Sequence, residues 1–265
     1  MKENRLAVLI DADNAQASLI ENIFQEIATE GTIYIKRIYG DWTQSTLSSW
    51  KKVLNENAIT PIQQFAYTTG KNSTDSALII DAMDLLYTNR FDGFCIVSSD
   101  SDFTRLATRI RENGLKVYGY GMAQTPKPFR AACDKFIDLT IFNKNAVTLP
   151  VEKTITPQAK TVTKNSVKSK STKDIAPEPI NKPSNINAQL RKLLLAAIEN
   201  TMEDNGWANL AFVGAYLQKI DSSFDARLYG YKSLSALIKD CDFIDIDETP
   251  DEKNKKIIHY QIKAK

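Results

Sequence analysis

The chain reads as two folded units of different class: an open α/β domain with a parallel sheet covered by helices on both faces, then a small winged-helix-like module. Three observations predict this. Apolar runs of strand length alternate with stretches of helical spacing through residues 1–145, the pattern stops over 146–185, and periodicity returns over 186–265.

In the first unit, strand-like runs stand at Leu6–Ile10, Ile33–Ile38, Ile62–Ala66, Phe94–Val97, Val117–Tyr120 and Phe136–Leu139. Helical spacing fills Ala15–Ala28, Leu47–Leu54, Ser76–Tyr87 and Phe103–Ile110 between them. Parallel neighbours need crossover connections, so strands alternating with helices imply a parallel sheet buried on both faces. Residues 146–185 are rich in Lys, Thr, Ser and Pro and lack an apolar period, the composition of a flexible, disordered basic linker. Residues 186–265 hold three helical patterns, Ile186–Met202, Ala208–Ile220 and Leu228–Asp240. Two alternating runs, Phe243–Asp247 and Ile257–Ile262, follow as a hairpin, the element order of a winged helix-turn-helix.

The formal charge of +2 conceals a division: −1 over 1–145, +4 over the linker and −1 over 186–265. A histone-like or an acidic solvating protein is excluded. No run approaches the ~18 apolar residues of a membrane span, and the chain reads as soluble and cytoplasmic. Three widely spaced cysteines and one histidine, His259, leave no zinc cluster and no serine–histidine triad in prospect.

Ligands of an open parallel sheet bind beyond the carboxyl ends of its strands. There the sequence places Ile10-Asp11-Ala12-Asp13-Asn14 after the first strand, and Ser98-Ser99-Asp100-Ser101-Asp102-Phe103 after the fourth. Thr69-Gly70-Lys71-Asn72-Ser73-Thr74-Asp75 leads from the third strand into a helix. Singly, Asp13, Asp75 and Asp102 read as helix caps. Three acidic clusters on one edge repel unless a cation lies between them, so the arrangement predicts a divalent metal. Oxygen-only donors select Mg²⁺ or Mn²⁺, able to activate a water and to offset charge on a phosphodiester. Around them Lys71, Asn72, Ser98, Ser99, Ser101 and Arg130 can donate hydrogen bonds to phosphate. Trp42, in the loop Tyr39–Thr43, has a face that can stack on a base or pack on its own domain.

These motifs, together with Asp81 in the following helix and Phe129-Arg130-Ala131-Ala132-Cys133-Asp134-Lys135-Phe136, resemble the NYN domain, LabA-like branch, of the PIN-like nuclease superfamily over residues 5–140. The resemblance implies a PIN-like fold and a metal-dependent endoribonuclease, with Asp11, Asp75, Asp100 and Asp102 as catalytic metal ligands and Asn14 as the family's first-strand asparagine. Asp81 lies six residues from Asp75, an effective ~240° around the helix, so the two do not face one metal; Asp81 and Asp13 are secondary. The run Phe224–Ile238, with the hairpin behind it, is similar to the LOTUS or OST-type helix-turn-helix domain. That likeness implies affinity for RNA, single-stranded in the first instance, or for a protein partner, with Tyr229, Tyr231 and Lys232 as contact residues or core. Two other readings stand beside the nuclease. One is a non-catalytic RNA-binding regulator on a nuclease-like scaffold. The other is a haloacid-dehalogenase-type phosphatase, which Asp11-Ala12-Asp13 resembles, although Ala15 and the lack of a lysine near Asp100 depart from that family's pattern.

Overall fold

A computed structural model describes residues 3–65, 73–144, 186–250 and 258–265. The linker, 146–185, lies outside the described residues, as do Lys71 and Asn72.

The first unit is a six-stranded, wholly parallel sheet: β1 (Arg5–Asp11), β2 (Thr32–Gly40), β3 (Thr60–Gln63), β4 (Gly93–Val97), β5 (Lys116–Gly121) and β6 (Lys135–Asp138). The strands lie in the order β3-β2-β1-β4-β5-β6. The chain winds outward from β1 in one direction, then restarts at β4 and winds the other way. β1 and β4 are therefore neighbours at the point of reversal, with Ile10 opposite Val97.

Period-two alternation along β1 shows why both faces carry helices. Leu6, Val8 and Ile10 enter one core with Ile20, Ile23 and Ile27 of α1 (Ile20–Ile27) and Trp50 and Leu54 of α2 (Trp50–Glu56). Ala7 and Leu9 enter a second core with Leu78 and Ala82 of α3 (Ser73–Tyr87), Leu106 and Ile110 of α4 (Thr104–Glu112), and Phe129 of α5 (Lys127–Ala132). A strand apolar at every position needs two such layers. A short helix α6 (Thr140–Lys144) closes the domain.

The second unit packs α7 (Ala188–Thr201), α8 (Leu210–Ile220) and α9 (Leu234–Lys239) against a three-stranded sheet. In that sheet β9 (Ile258–Ala264) lies between β8 (Ile244–Pro250) and the two-residue β7 (Ala208–Asn209). Its helices have side-chain caps where the sequence offers them: Asn187, Asn209 and Ser233 each accept from a backbone N–H in the following turn. Gly230 ends a 3-10 turn at φ +89°, a left-handed conformation that glycine adopts without a Cβ penalty. Tyr229 and Tyr231 both pack against this unit's core.

The two units touch. β6 is the sheet's edge, and there the Phe136 N–H donates to the Ser222 carbonyl at 2.8 Å, while Ser222 Oγ donates to the Arg130 carbonyl at 2.6 Å. The Arg227 guanidinium grips both oxygens of Glu26 on α1, at 2.8 and 3.0 Å, and Leu228 packs on the first core. Burial raises the Glu26 pKa, but Arg227 and Lys135 outweigh it and hold the carboxyl below its usual range. No helix among the described residues is long and apolar enough to cross a membrane, and all three cysteines are free and buried.

Candidate metal and phosphodiester site

The reversal sets the carboxyl ends of β1 and β4 side by side, and the acidic motifs meet there. One carboxylate oxygen each from Asp75, Asp100 and Asp102 lie within 4.8 Å of one another. Asp75 comes from the first turn of α3, whereas Asp100 and Asp102 come from the 3-10 turn after β4. That turn is set locally: Asp100 is its cap and accepts the Asp102 N–H at 2.9 Å, and the Asp100 N–H donates to Ser98 Oγ at 3.0 Å.

Asp11, at the end of β1, is close enough for its charge to raise the Asp75 pKa. It is 1% exposed, and its two oxygens receive the Asp13 N–H at 3.1 Å, Asn14 Nδ2 at 2.7 Å and Ser98 Oγ at 2.8 Å. The side chain thus ties the end of β1 to the end of β4, and its charge acts on Asp75. Asp13 is exposed and hydrogen-bonded to Thr74; burial and then Asp11 raise its pKa. Ser99 Oγ accepts the Met122 N–H at 2.9 Å, which fixes the following loop to β5. Gly121 allows the close approach here, since a Cβ would stand 2.7 Å from the Ser98 carbonyl oxygen.

The electrostatics fit a cation site. Asp75 occupies a helix first turn, where the dipole favours ionisation by ~0.3–1 kcal/mol. Its pKa is nevertheless pushed up to about 6, first by burial, then by Asp11, Asp100, Asp102 and Asp13. Burial and, after it, the crowded carboxylates together outweigh the dipole, and a divalent ion among hard oxygen donors would relieve the crowding.

The remaining residues lie elsewhere. Asp81 is bonded to Arg37 and to Tyr39 Oη, turned away from the trio as its helical phase requires. Trp42 is half-buried: its Nε1–H donates to the Ile62 carbonyl at 3.1 Å, and one side lines a cavity of about 480 Å³ beside α2. Arg130 stacks its guanidinium over the Phe136 ring at 5.2 Å and lines a groove shared by the two units, to which none of the trio contributes. Sequence reasoning did not foresee Thr74 as a partner of Asp13; the motif contained it, but only packing shows what its hydroxyl meets.

A reversed-order parallel sheet with three converging aspartates at its switch point is an α/β domain of the PIN-like kind. The family model for the NYN domain matches residues 5–140, and the chain belongs to that family. A second family model, OST-HTH/LOTUS domain, matches residues 181–255. The N-terminal unit is therefore a nuclease-like scaffold, and the two domains together point to RNA.

Among solved structures, a Vibrio parahaemolyticus protein of unknown function is 21% identical, covering 51% of this chain and 94% of its own, with a TM-score of 0.43. An uncharacterized protein from Nitrosomonas europaea is 38% identical, over 36% of this chain and 91% of its own, with a TM-score of 0.28. A fragment of a Chromobacterium violaceum protein is 36% identical, over 31% and 87%, with a TM-score of 0.24. No curated protein matches the chain.

Proposed function

We propose that the protein is a metal-dependent endoribonuclease acting on single-stranded RNA. The observation that carries this reading is the convergence of Asp75, Asp100 and Asp102 within 4.8 Å at the switch point of an NYN fold. These three would hold Mg²⁺ or Mn²⁺, which supplies a Lewis acid for a phosphodiester and lowers the pKa of water.

The chain's own groups do the rest. Asp11 sets the height of the site, since its bonds to Ser98 and Asn14 lock the ends of β1 and β4 together. Asp100 orders the turn that presents Asp102. Asn14 and Asp13 are exposed beside Asp11, and in this reading they would meet the ribose hydroxyls of a bound strand. Lys71 and Asn72 precede α3 in sequence and are the proposed donors on that side.

The buried, triply bonded state of Asp11 favours this reading over a phosphatase, which needs that aspartate accessible as a nucleophile. The test is incubation of labelled single-stranded RNA with Mn²⁺, with and without chelator, beside Asp100→Asn. Cleavage lost in both arms supports the assignment; cleavage that survives both overturns it. Binding without turnover would make the protein a regulator on a nuclease-like scaffold.

A further inference from the structure

A wide concavity lies away from the aspartates. A groove of about 880 Å³ runs between the two units and is lined by Arg111, Lys116, Lys127, Arg130 and Lys219. Only Asp134 and Asp221 oppose these five cations. Asp134 is shared by Arg111 at 3.3 Å and Lys116 at 3.2 Å, and Asp221 is occupied by the N–H and hydroxyl of Ser223. Lys127 and Lys219 have no ion-pair partner among the described residues, and the Arg130 Nε–H is buried without any hydrogen-bond acceptor. An orphaned buried donor costs free energy unless a ligand supplies the acceptor, and uncompensated cations on facing walls supply a positive field.

We propose that this groove binds the phosphate backbone of a single strand of RNA, as a second contact remote from the site of cutting. The inference rests on the RNA reading above and adds the path of the strand. Arg111, Lys116 and Asp134 stand at the amino ends of β5 and β6, whereas Asp100 stands beyond the carboxyl end of β4. A strand engaging Arg111 and Lys116 as well as the aspartates must run along the flank of the sheet past Lys127 and Arg130 of α5, so an oligonucleotide too short to span that flank reaches only one end. Mixed guanidinium and ammonium groups without a closed pocket suit a repeating phosphate chain read without regard to sequence.

The groove exists because the second unit is docked. Lys219 belongs to α8, and the docked position is held by Arg227 on Glu26 and by Ser222 on β6. Undocking would remove one wall while leaving every cation on the chain.

The test is fluorescence anisotropy of a labelled uridine homopolymer with the full chain in chelator, which prevents cutting, as a function of salt. Lys127→Ala with Lys219→Ala changes two exposed side chains and should fold normally. It should weaken binding ~10-fold and lower the log–log salt slope by ~1.4, about 0.7 for each lost contact to a single strand. Arg227→Ala should weaken binding comparably with all five cations kept. In Mn²⁺, the lysine variant should cut a long strand more slowly and a short oligonucleotide at the wild-type rate. Wild-type affinity and slope in both variants would overturn the groove and leave the RNA reading standing. Wild-type protein that binds no RNA would overturn both, and groove-dependent binding without cutting would remove only the nuclease.

Discussion

Replacing Asp75 with asparagine should stabilise the metal-free protein and abolish its thermal response to Mn²⁺. The Asp75 carboxyl rises from 3.8 to about 6 in the folded state. At ~1.4 kcal/mol per pH unit that amounts to ~3 kcal/mol for a fully enclosed group. Asp75 is only half-buried, so solvent screening reduces the expected effect to about 1 kcal/mol. Between about pH 4 and 6 the folded protein holds this proton more often than the unfolded chain, so stability falls as pH rises through that window. Above about 6 the full penalty is present, and asparagine removes it. In thermal unfolding without metal near pH 7.5, the variant should melt ~3 °C higher than wild type and show a flatter profile between pH 4 and 6. Mn²⁺ should raise the melting temperature of the wild type and leave the variant unmoved. A variant that melts lower without metal, or one that gains as much from Mn²⁺ as the wild type, would refute the reasoning.

Asp81→Ala should cost about 2–3 kcal/mol, because Tyr39 Oη loses its buried acceptor and Arg37 its counter-ion, yet the Mn²⁺ shift in the melting curve should persist. Asp11→Ala should cost about 2 kcal/mol in chemical denaturation by stranding the Ser98 hydroxyl and the Asp13 N–H, and RNA cleavage should vanish with it. Gly121→Ala should lose at least ~1 kcal/mol by the same measurement, since its Cβ would press on the Ser98 carbonyl and a backbone atom cannot swing aside. The Arg227–Glu26 clasp should open in acid: Glu26 lies below its usual 4.5, so the clasp contributes fully above that pH and is lost as pH falls through the lowered value. Small-angle scattering should then show expansion in the wild type only as the pH falls through that lowered value, beneath the ordinary 4.5, and at neutral pH in Glu26→Gln.

The elements most legible in the sequence were those with a long local period. The inner strands β1, β4 and β5 stand where the apolar runs lie, because a strand buried on both faces is apolar at nearly every position; the exposed edge strand β3, Thr60–Gln63, overlaps the run at Ile62–Ala66 by only two residues. The separation of Asp81 from Asp75 was equally legible, since helical phase is local geometry. The helices α5 and α6 were not, being six and five residues long, too short for a period to show. Nor was β7, a two-residue strand defined by its pairing with Gln261 and Ile262 and by a bridge from Ala208 to Met202. At the site, the motifs announced the carboxylates but not their depth. Asp11 and Asp100 both follow strands, yet Asp11 is closed in by Ser98 and Asn14 while Asp100 is half-buried beside Asp75.

By itself, then, the sequence determined the class of each unit and the edge on which the acids gather, because strand period, helix phase and turn chemistry act over a few neighbouring residues. The tertiary structure decided which acids meet, what Asp81 holds, and that Arg130 faces a groove rather than the aspartates. Those outcomes depend on pairs such as Glu26 with Arg227, 201 residues apart, whose contact no local pattern encodes and only the packing of whole units brings about.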